Sequence, residues 1–444
     1  MEEARLLEVM SDWNFWGKSR LEVGVPRPAY TDKILGLLEG NNVIVEAGIR
    51  RCGKSYIARQ VAWALMQRGR DRRSVLVINL EDERLPEKEA GLLQAAYSLY
   101  KRELKPEGKP LVILDEAQEA PGWERFVRGM SERGEAAFIV TGSSSALLSS
   151  EYSTLLSGRH IAINITPLSF AEFLRFTGVR AGSRLEMARN AERILAALDE
   201  YLRYGGFPAV VLSKNKEELL LSYFDTILIK DVSQRYAIRE QEKLRFLTKY
   251  YLTNVASHAT YNSISRSTRA GGGRGMPVKT IQRFSEYLAS ASLLFFTRRF
   301  SFSVKEQENS PRKIYSIDNG FSTILGFNFM EIKGRMMENS VAIELLRRSH
   351  LDRNLEFYYW KSPKSGREVD FLVKSGAKAL LPIQVSYSID ERATREREVS
   401  ALIECMRALN LKEGLVLTYD SDGKEEIDGF TINYRSLPRW LLNF

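Results

Sequence analysis

Residues 43–55 read VIVEAGIRRCGKS. VIVEA, 43–47, is a short β-rich apolar run of the buried-strand type, and YIARQVAWALMQRG, 56–69, carries a helical pattern. Between them Gly48, Ile49, Arg50, Arg51, Cys52, Gly53, Lys54 and Ser55 match G-x-x-x-x-G-K-[ST]. The glycines let the backbone curl until its N–H groups point at a phosphate, and the helix N-terminus adds a favourable dipole. Lys54 is then placed to neutralise the β- and γ-phosphates of ATP, and Ser55 to offer a hydroxyl to Mg²⁺. A chance Gly-rich turn would need neither the strand before nor the helix after.

Three further apolar runs follow, SVLVINL (74–80), PLVILDEA (110–117) and AAFIVTGSSS (136–145), separated by helical text. That alternation predicts an α/β fold with a parallel sheet covered on both faces, the P-loop NTPase arrangement. The second run ends in two carboxylates. Asp115 suits Mg²⁺, directly or through water, and Glu116 suits a general base that polarises an attacking water. Acidic residues at a strand end are common, so this pair has weight only beside the first motif. On the next strand a polar side chain is expected to sense the γ-phosphate, and Ser143 is chosen over its neighbours in a Ser-rich loop. Arg159, in LLSGRHIAINI, reads from spacing alone as a surface arginine; in cis or in trans it would also suit a γ-phosphate.

The chain has 444 residues, enough for two to four domains. Two cysteines, Cys52 and Cys405, exclude a disulfide framework or a four-cysteine zinc site, and three histidines exclude a His-rich metal cluster. No apolar stretch is long enough to span a membrane, and MEEARLLEVM lacks the features of a signal peptide. A soluble cytoplasmic protein is expected. The formal charge is +9, from 65 basic and 56 acidic residues. It is concentrated: from Tyr261 to Lys313 ten basic residues meet three acidic ones, a local +7.

From Ser169 to about Arg235 the text is mostly helical, broken by RYGGFPAV, 203–210. QEKLRFLTKYYLTNVASH, 241–258, suits a helix. VKTIQRFSEYLASASL, 278–293, suits a second, with Ile281, Phe284, Tyr287 and Leu288 inward and Lys279, Gln282 and Arg283 outward. A basic hairpin from LLFFTRRF and PRKIYS would complete a winged helix, with Arg266, Arg269, Arg274, Lys279 and Arg283 as contacts to DNA phosphates. A winged helix equally serves as a protein-docking module. Beyond Arg312 the pattern is mixed α and β.

On GIRRCGKSYIARQ, LVILDEAQ, TGSSSALLS, LSGR, ITPLSFAEFL, YLRYGGFPAV, PRKIYSIDNGF and GRMMENSVAIELLRR the chain resembles the archaeal and bacterial AAA-type ATPases. Their phosphate loop reads G-[VI]-R-R-x-G-K-[ST], and they carry a C-terminal domain related to PD-(D/E)xK nucleases. The resemblance implies an N-terminal segment (1–40), an ATPase core (41–168) and a helical lid (169–238). A winged helix (239–311) and a restriction-endonuclease-like α/β domain (312–444) would follow. It also implies that Arg159 acts as an arginine finger. A nuclease of this kind needs carboxylates on Mg²⁺ and a lysine beside the attacking water. Glu338 and Asp370 are in place, but the expected E-x-K reads Gln384-Val385-Ser386. The nuclease site is therefore expected to be degenerate, with a migrated lysine, Lys374 or Lys378, as the lesser alternative. The leading expectation is a Mg²⁺-dependent ATPase acting on duplex or branched DNA, as a homo-oligomer in one version. The alternatives are an ATP-controlled switch for protein assembly and an ATP-regulated metal-dependent nuclease.

Overall fold

A computed structural model describes residues 3–17, 21–40, 43–85, 91–143, 160–269, 275–325, 329–376, 378–389 and 392–443. The chain divides into two compact units, Met1–Ile165 and Thr166–Phe444.

In the first unit five strands form one parallel sheet: β1 (Val43–Gly48), β2 (Val75–Asn79), β3 (Leu111–Asp115), β4 (Ala137–Ser143) and β5 (His160–Ile165). Their order is β2-β3-β4-β1-β5, so the strand that feeds the glycine loop lies inside the sheet with β4 and β5 as neighbours. Burial on both faces explains why these strands are uninterrupted apolar runs. One face carries Val43, Val45, Leu76, Ile78, Val112, Leu114, Phe138 and Val140, covered by Leu6, Val9 and Met10 of the first helix and by Tyr97, Tyr100, Trp123 and Val127. The N-terminal segment is thus part of this core. Asn14 also closes the open edge of β2, donating to Val77 O at 2.8 Å and accepting from Val77 N at 2.6 Å. Trp16 Nε1 donates to Val75 O at 3.1 Å on the same edge. Pairing the edge in this way removes a template for strand addition.

The second unit begins with helices between Phe170 and Thr226 and a π-helical stretch, Ile227–Gln234. Ser169 and Glu172 form a reciprocal capping box: the Ser169 hydroxyl accepts from Glu172 N and the Glu172 carboxylate from Ser169 N. The ring of Tyr201 packs 5.5 Å from Phe170 and 5.4 Å from Phe173. PLSFAEFL is therefore a helix start joined to an aromatic core.

Beyond it, helix Gln241–Thr253, strand β6 (His258–Ala259), helices Tyr261–Arg269 and Val278–Ser290, and strands β7 (Leu294–Thr297) and β8 (Arg312–Ser316) follow. The three strands form an antiparallel sheet ordered β6-β8-β7. The helix expected to reach residue 258 stops at Thr253, because Ala256 takes φ +61° and the chain turns into β6. The C-terminal part is a six-stranded mixed sheet, ordered β13-β14-β12-β11-β10-β9. Its strands are β9 (Leu355–Lys361), β10 (Glu368–Ser375), β11 (Lys378–Val385), β12 (Glu413–Thr418), β13 (Gly423–Ile427) and β14 (Phe430–Ser436), with helices Phe329–Leu351 and Arg392–Leu409 beside them. Cys405 is fully buried among Leu402, Met406 and Val416.

Three of the family-like stretches meet at one buried carboxyl. Asp318 accepts from Gly206 N at 2.7 Å and from Gly320 N at 2.9 Å, while Leu168 N donates to Gly206 O at 2.7 Å. Burial pushes the Asp318 carboxyl up to about 7, against the two glycine N–H groups that favour its charge. A raised folded value means that the native state binds more protons, so this stability is present below the ordinary value of 3.8 and is lost as pH rises through about 7. Asp318→Asn is expected to remove that slope and to leave an amide NH₂ facing a glycine N–H, costing about 1–3 kcal/mol. Urea unfolding of both forms across that pH window checks it.

Candidate functional site

β1 enters the glycine loop at Gly48, and helix Lys54–Gln67 leaves it. A side chain at Gly48 is sterically impossible, since a Cβ would stand 2.3 Å from Ile165 O. The loop curls through two left-handed residues, Arg51 at φ +70° and Gly53 at φ +102°. The strain at Arg51, on the order of 1–2 kcal/mol, is held by the surroundings. Cys52 is fully buried, and its carbonyl accepts from the guanidinium of buried Arg27 at 2.9 Å. Arg50 pairs with Glu81 at 2.8 Å. Ile49 is buried, and its carbonyl accepts from Lys54 Nζ at 3.3 Å, as does Gly48 O at 3.1 Å. The ammonium thus lies in the hollow of the loop.

Behind the loop a chain of hydrogen bonds joins three strand ends. Ser55 Oγ donates to Asp115 Oδ1 at 2.7 Å, Thr141 Oγ1 donates to the same oxygen at 2.6 Å, and Glu116 N donates to Thr141 Oγ1 at 3.1 Å. Burial pushes the Asp115 carboxyl up, and the Thr141 and Ser55 hydroxyls pull it down. Glu116 follows the strand at φ +54°, a left-handed conformation that turns its side chain out of the sheet register, and Gln118 Nε2 donates to its Oε2 at 2.5 Å. These residues fit a magnesium ion. Ser55 Oγ and Asp115 Oδ1 are hard oxygen donors separated by about the edge of a Mg²⁺ octahedron, roughly 2.9 Å for 2.0–2.1 Å bonds.

Of the expected residues, Lys54, Ser55, Asp115 and Glu116 converge. Ser143 lies at the buried end of β4 opposite Gly48, but the side chain of that strand on Asp115 is Thr141, two residues earlier. Arg159 lies outside the described residues. Three participants escaped the sequence reading: Thr141, Arg27 and Glu46. Glu46 is fully buried in β1, and among the described residues neither carboxylate oxygen has a hydrogen-bond partner. Burial first, then the charge of Asp115, pushes its carboxyl well above the usual range, against Lys54 and Arg27. A lone carboxylate inside VIVEA was its visible signal.

In the second unit Arg266 and Arg269 are exposed on helix Tyr261–Arg269, and Lys279 and Arg283 on helix Val278–Ser290. Arg274 lies outside the described residues. Ile281, Phe284 and Leu288 are buried as the pattern required; Tyr287 is half-buried and stacks on Tyr236 at 3.7 Å. The local charge is smaller than the sequence suggested, because Arg298 and Arg312 pair with Glu308, and Lys313 is buried. Glu338, Asp370 and Gln384 do come together: Gln384 Oε1 accepts from Asp370 N at 3.2 Å, and Lys313 Nζ lies 2.8 Å from both Glu338 and Asp370. Of the two lysines offered as a migrated partner, Lys374 pairs with Glu356, four residues along β10 from Asp370, and the lysine among the carboxylates is Lys313, from β8. The side chain of Lys378 lies outside the described residues.

A parallel sheet, a glycine loop opening a helix and a Ser55–Asp115 pair define an AAA-type P-loop domain. A family model described as an AAA domain matches residues 40–174, and two described as domains of unknown function, DUF8612 and DUF4143, match 195–330 and 333–438. The uncharacterized protein MJ1544 of Methanocaldococcus jannaschii is 33% identical over 395 residues, covering 87% of this chain and 84% of that one. An uncharacterized protein of Haemophilus influenzae is 28% identical over 427 residues, covering 94% and 98%. The chain belongs to the same family as MJ1544, and its residues 40–174 match the AAA domain. Among solved structures, the Walker-type ATPase PABY2304 of Pyrococcus abyssi matches with a TM-score of 0.40 and 15% identity, covering 68% of this chain and 95% of that one. The ORC2 protein of Aeropyrum pernix matches with a TM-score of 0.36 and 13% identity, covering 71% and 92%. No helix among the described residues is long and apolar enough to cross a membrane.

Proposed function

We propose that this chain is a Mg²⁺-dependent ATPase that couples its nucleotide state to binding or remodelling of DNA. The observation that carries the hydrolytic reading is the Ser55–Asp115–Thr141–Glu116 chain beneath the loop. In it Lys54 and the loop N–H groups bind the phosphates, and Ser55 and Asp115 would hold Mg²⁺, which supplies charge neutralisation at the β- and γ-phosphates. Thr141 orients both Asp115 and the Glu116 backbone, and Glu116 takes a proton from the attacking water. Arg159 keeps its proposed place as an arginine finger.

The DNA part rests on Arg266, Arg269, Lys279 and Arg283. All four are exposed, and among the described residues none is in an ion pair. They lie on consecutive helices of a helix–strand–helix–helix–strand–helix–strand unit, the order of a winged helix with a short helix, Val304–Asn309, inserted between its last two strands. We propose 239–311, whose sheet is completed by β8 (Arg312–Ser316) from the following segment, as that domain, 169–238 as the lid and 312–444 as a nuclease-like α/β domain without nuclease activity. ATP turnover measured with no DNA and with duplex, branched and single-stranded DNA tests the coupling. Stimulation by one form is expected, and alanine at the four basic positions should weaken DNA binding and flatten its salt dependence by about 0.9 per lost phosphate contact on duplex. Turnover indifferent to every form, with no binding at low salt, would favour the switch for protein assembly.

A further inference from the structure

Lys313 is 3% exposed, yet it carries a charge. An ammonium has three N–H donors and no acceptor. Here the three oxygens within reach come from three different carboxylates: Glu338 Oε1 at 2.8 Å, Glu368 Oε1 at 2.9 Å and Asp370 Oδ1 at 2.8 Å. Each carboxylate is held by a further partner. Tyr315 OH donates to Glu338 Oε1 at 2.8 Å, His258 Nε2 lies 2.5 Å from Glu368 Oε2, and Val385 N donates to Asp370 Oδ2 at 3.0 Å. Such outer partners orient the ligands of a bound cation. The oxygens converge from helix Phe329–Leu351 and strand β10 on one point, and the lysine reaches it from β8, the central strand of another sheet.

We propose that Glu338, Glu368 and Asp370 form a divalent-cation site whose cation position is permanently occupied by the Lys313 ammonium. In the native chain this tethered cation shuts out a metal ion and ties the three-stranded sheet to the six-stranded one. The charges agree with this. Three carboxylates around one ammonium leave an excess of two negative charges, and Lys361 lies 3.9 Å from Glu368 as a second cation. Among the described residues no group of three His, Cys, Asp or Glu side chains is placed to hold a metal ion. Removal of the lysine stem would open the site to a hard cation. Ligand distances near 2.8 Å must then shrink by a few tenths of an ångström for Ca²⁺ and by more for Mg²⁺, so Ca²⁺ and Mn²⁺ should enter first.

The inference is independent of the ATPase reading, and its test uses the full chain without nucleotide. Thermal unfolding is measured in chelator and in millimolar Ca²⁺, and Mn²⁺ binding by electron paramagnetic resonance. The wild type should be indifferent to Ca²⁺. Lys313→Ala should unfold at lower temperature in chelator, regain roughly 5 °C with Ca²⁺, and bind one more Mn²⁺ than the wild type. Lys313→Ala with Asp370→Asn should lose both responses. Should Lys313→Ala fail to fold in chelator, refolding in Ca²⁺ takes the place of the melting curve. The triple variant with Glu338→Gln and Asp370→Asn, which removes the uncompensated charge, then serves as the folding control. A folded Lys313→Ala without cation response overturns the proposal, as does failure to refold in Ca²⁺ while the triple variant folds. Wild-type Mn²⁺ binding that Asp370→Asn abolishes overturns it too.

Discussion

Glu116→Gln is expected to bind ATP as the wild type does and to hydrolyse it about 10²–10⁴-fold more slowly. The amide keeps the shape of the side chain and still accepts from Gln118, while the backbone N–H to Thr141 and the φ of +54° are untouched. Only the ability to take a proton is lost. Lys54→Ala should fail one step earlier, at nucleotide binding, because it removes the ammonium from the hollow beside Gly48 O and Ile49 O. Single-turnover hydrolysis and equilibrium binding of a fluorescent ATP analogue separate the two variants. Undiminished turnover in Glu116→Gln would remove Glu116 as the base.

Gly205→Ala is expected to cost more than about 4 kcal/mol and to leave little folded protein. Gly205 sits at φ +73°, and a Cβ there would stand 1.7 Å from Asp318 Oδ1, inside the bond network that joins Gly206, Asp318 and Gly320. Relief would require Asp318 to leave its two N–H donors in a buried site. Gly334→Ala is the control, since nothing lies within 4 Å of its added Cβ and it sits in helix Phe329–Leu351. There alanine should stabilise by roughly 0.5–1 kcal/mol. Thermal and denaturant unfolding of both variants checks the contrast, and a wild-type-like Gly205→Ala would refute the packing argument.

Much of the nucleotide site was legible because its chemistry is contiguous. Gly48 to Ser55 lie within eight consecutive residues, and Asp115 and Glu116 close a conspicuous apolar strand. Strand positions were legible for the same reason, since burial on both faces demands unbroken apolar runs. Thr141 was not, because a threonine in a strand is ordinary β sequence, and only the pairing of β3 beside β4 brings its hydroxyl to Asp115. Helix Gln241–Thr253 was overextended because the apolar spacing runs on past Asn254, while the turn at Ala256 depends on pairing between β6 and β8.

The amino-acid sequence by itself determined that a glycine loop opens a helix after a buried strand, that two carboxylates follow, and that basic residues crowd into one segment. These are local patterns, set by backbone conformation and by side-chain spacing along single elements. The tertiary structure alone decided which of those charges are free. It buries Lys313, 57 residues before Asp370, among three carboxylates, and it leaves Arg266, Arg269, Lys279 and Arg283 exposed. The reason is physical: a charge is costly to bury unless partners surround it, and the partners of Lys313 come from other elements that only the fold brings within hydrogen-bond distance.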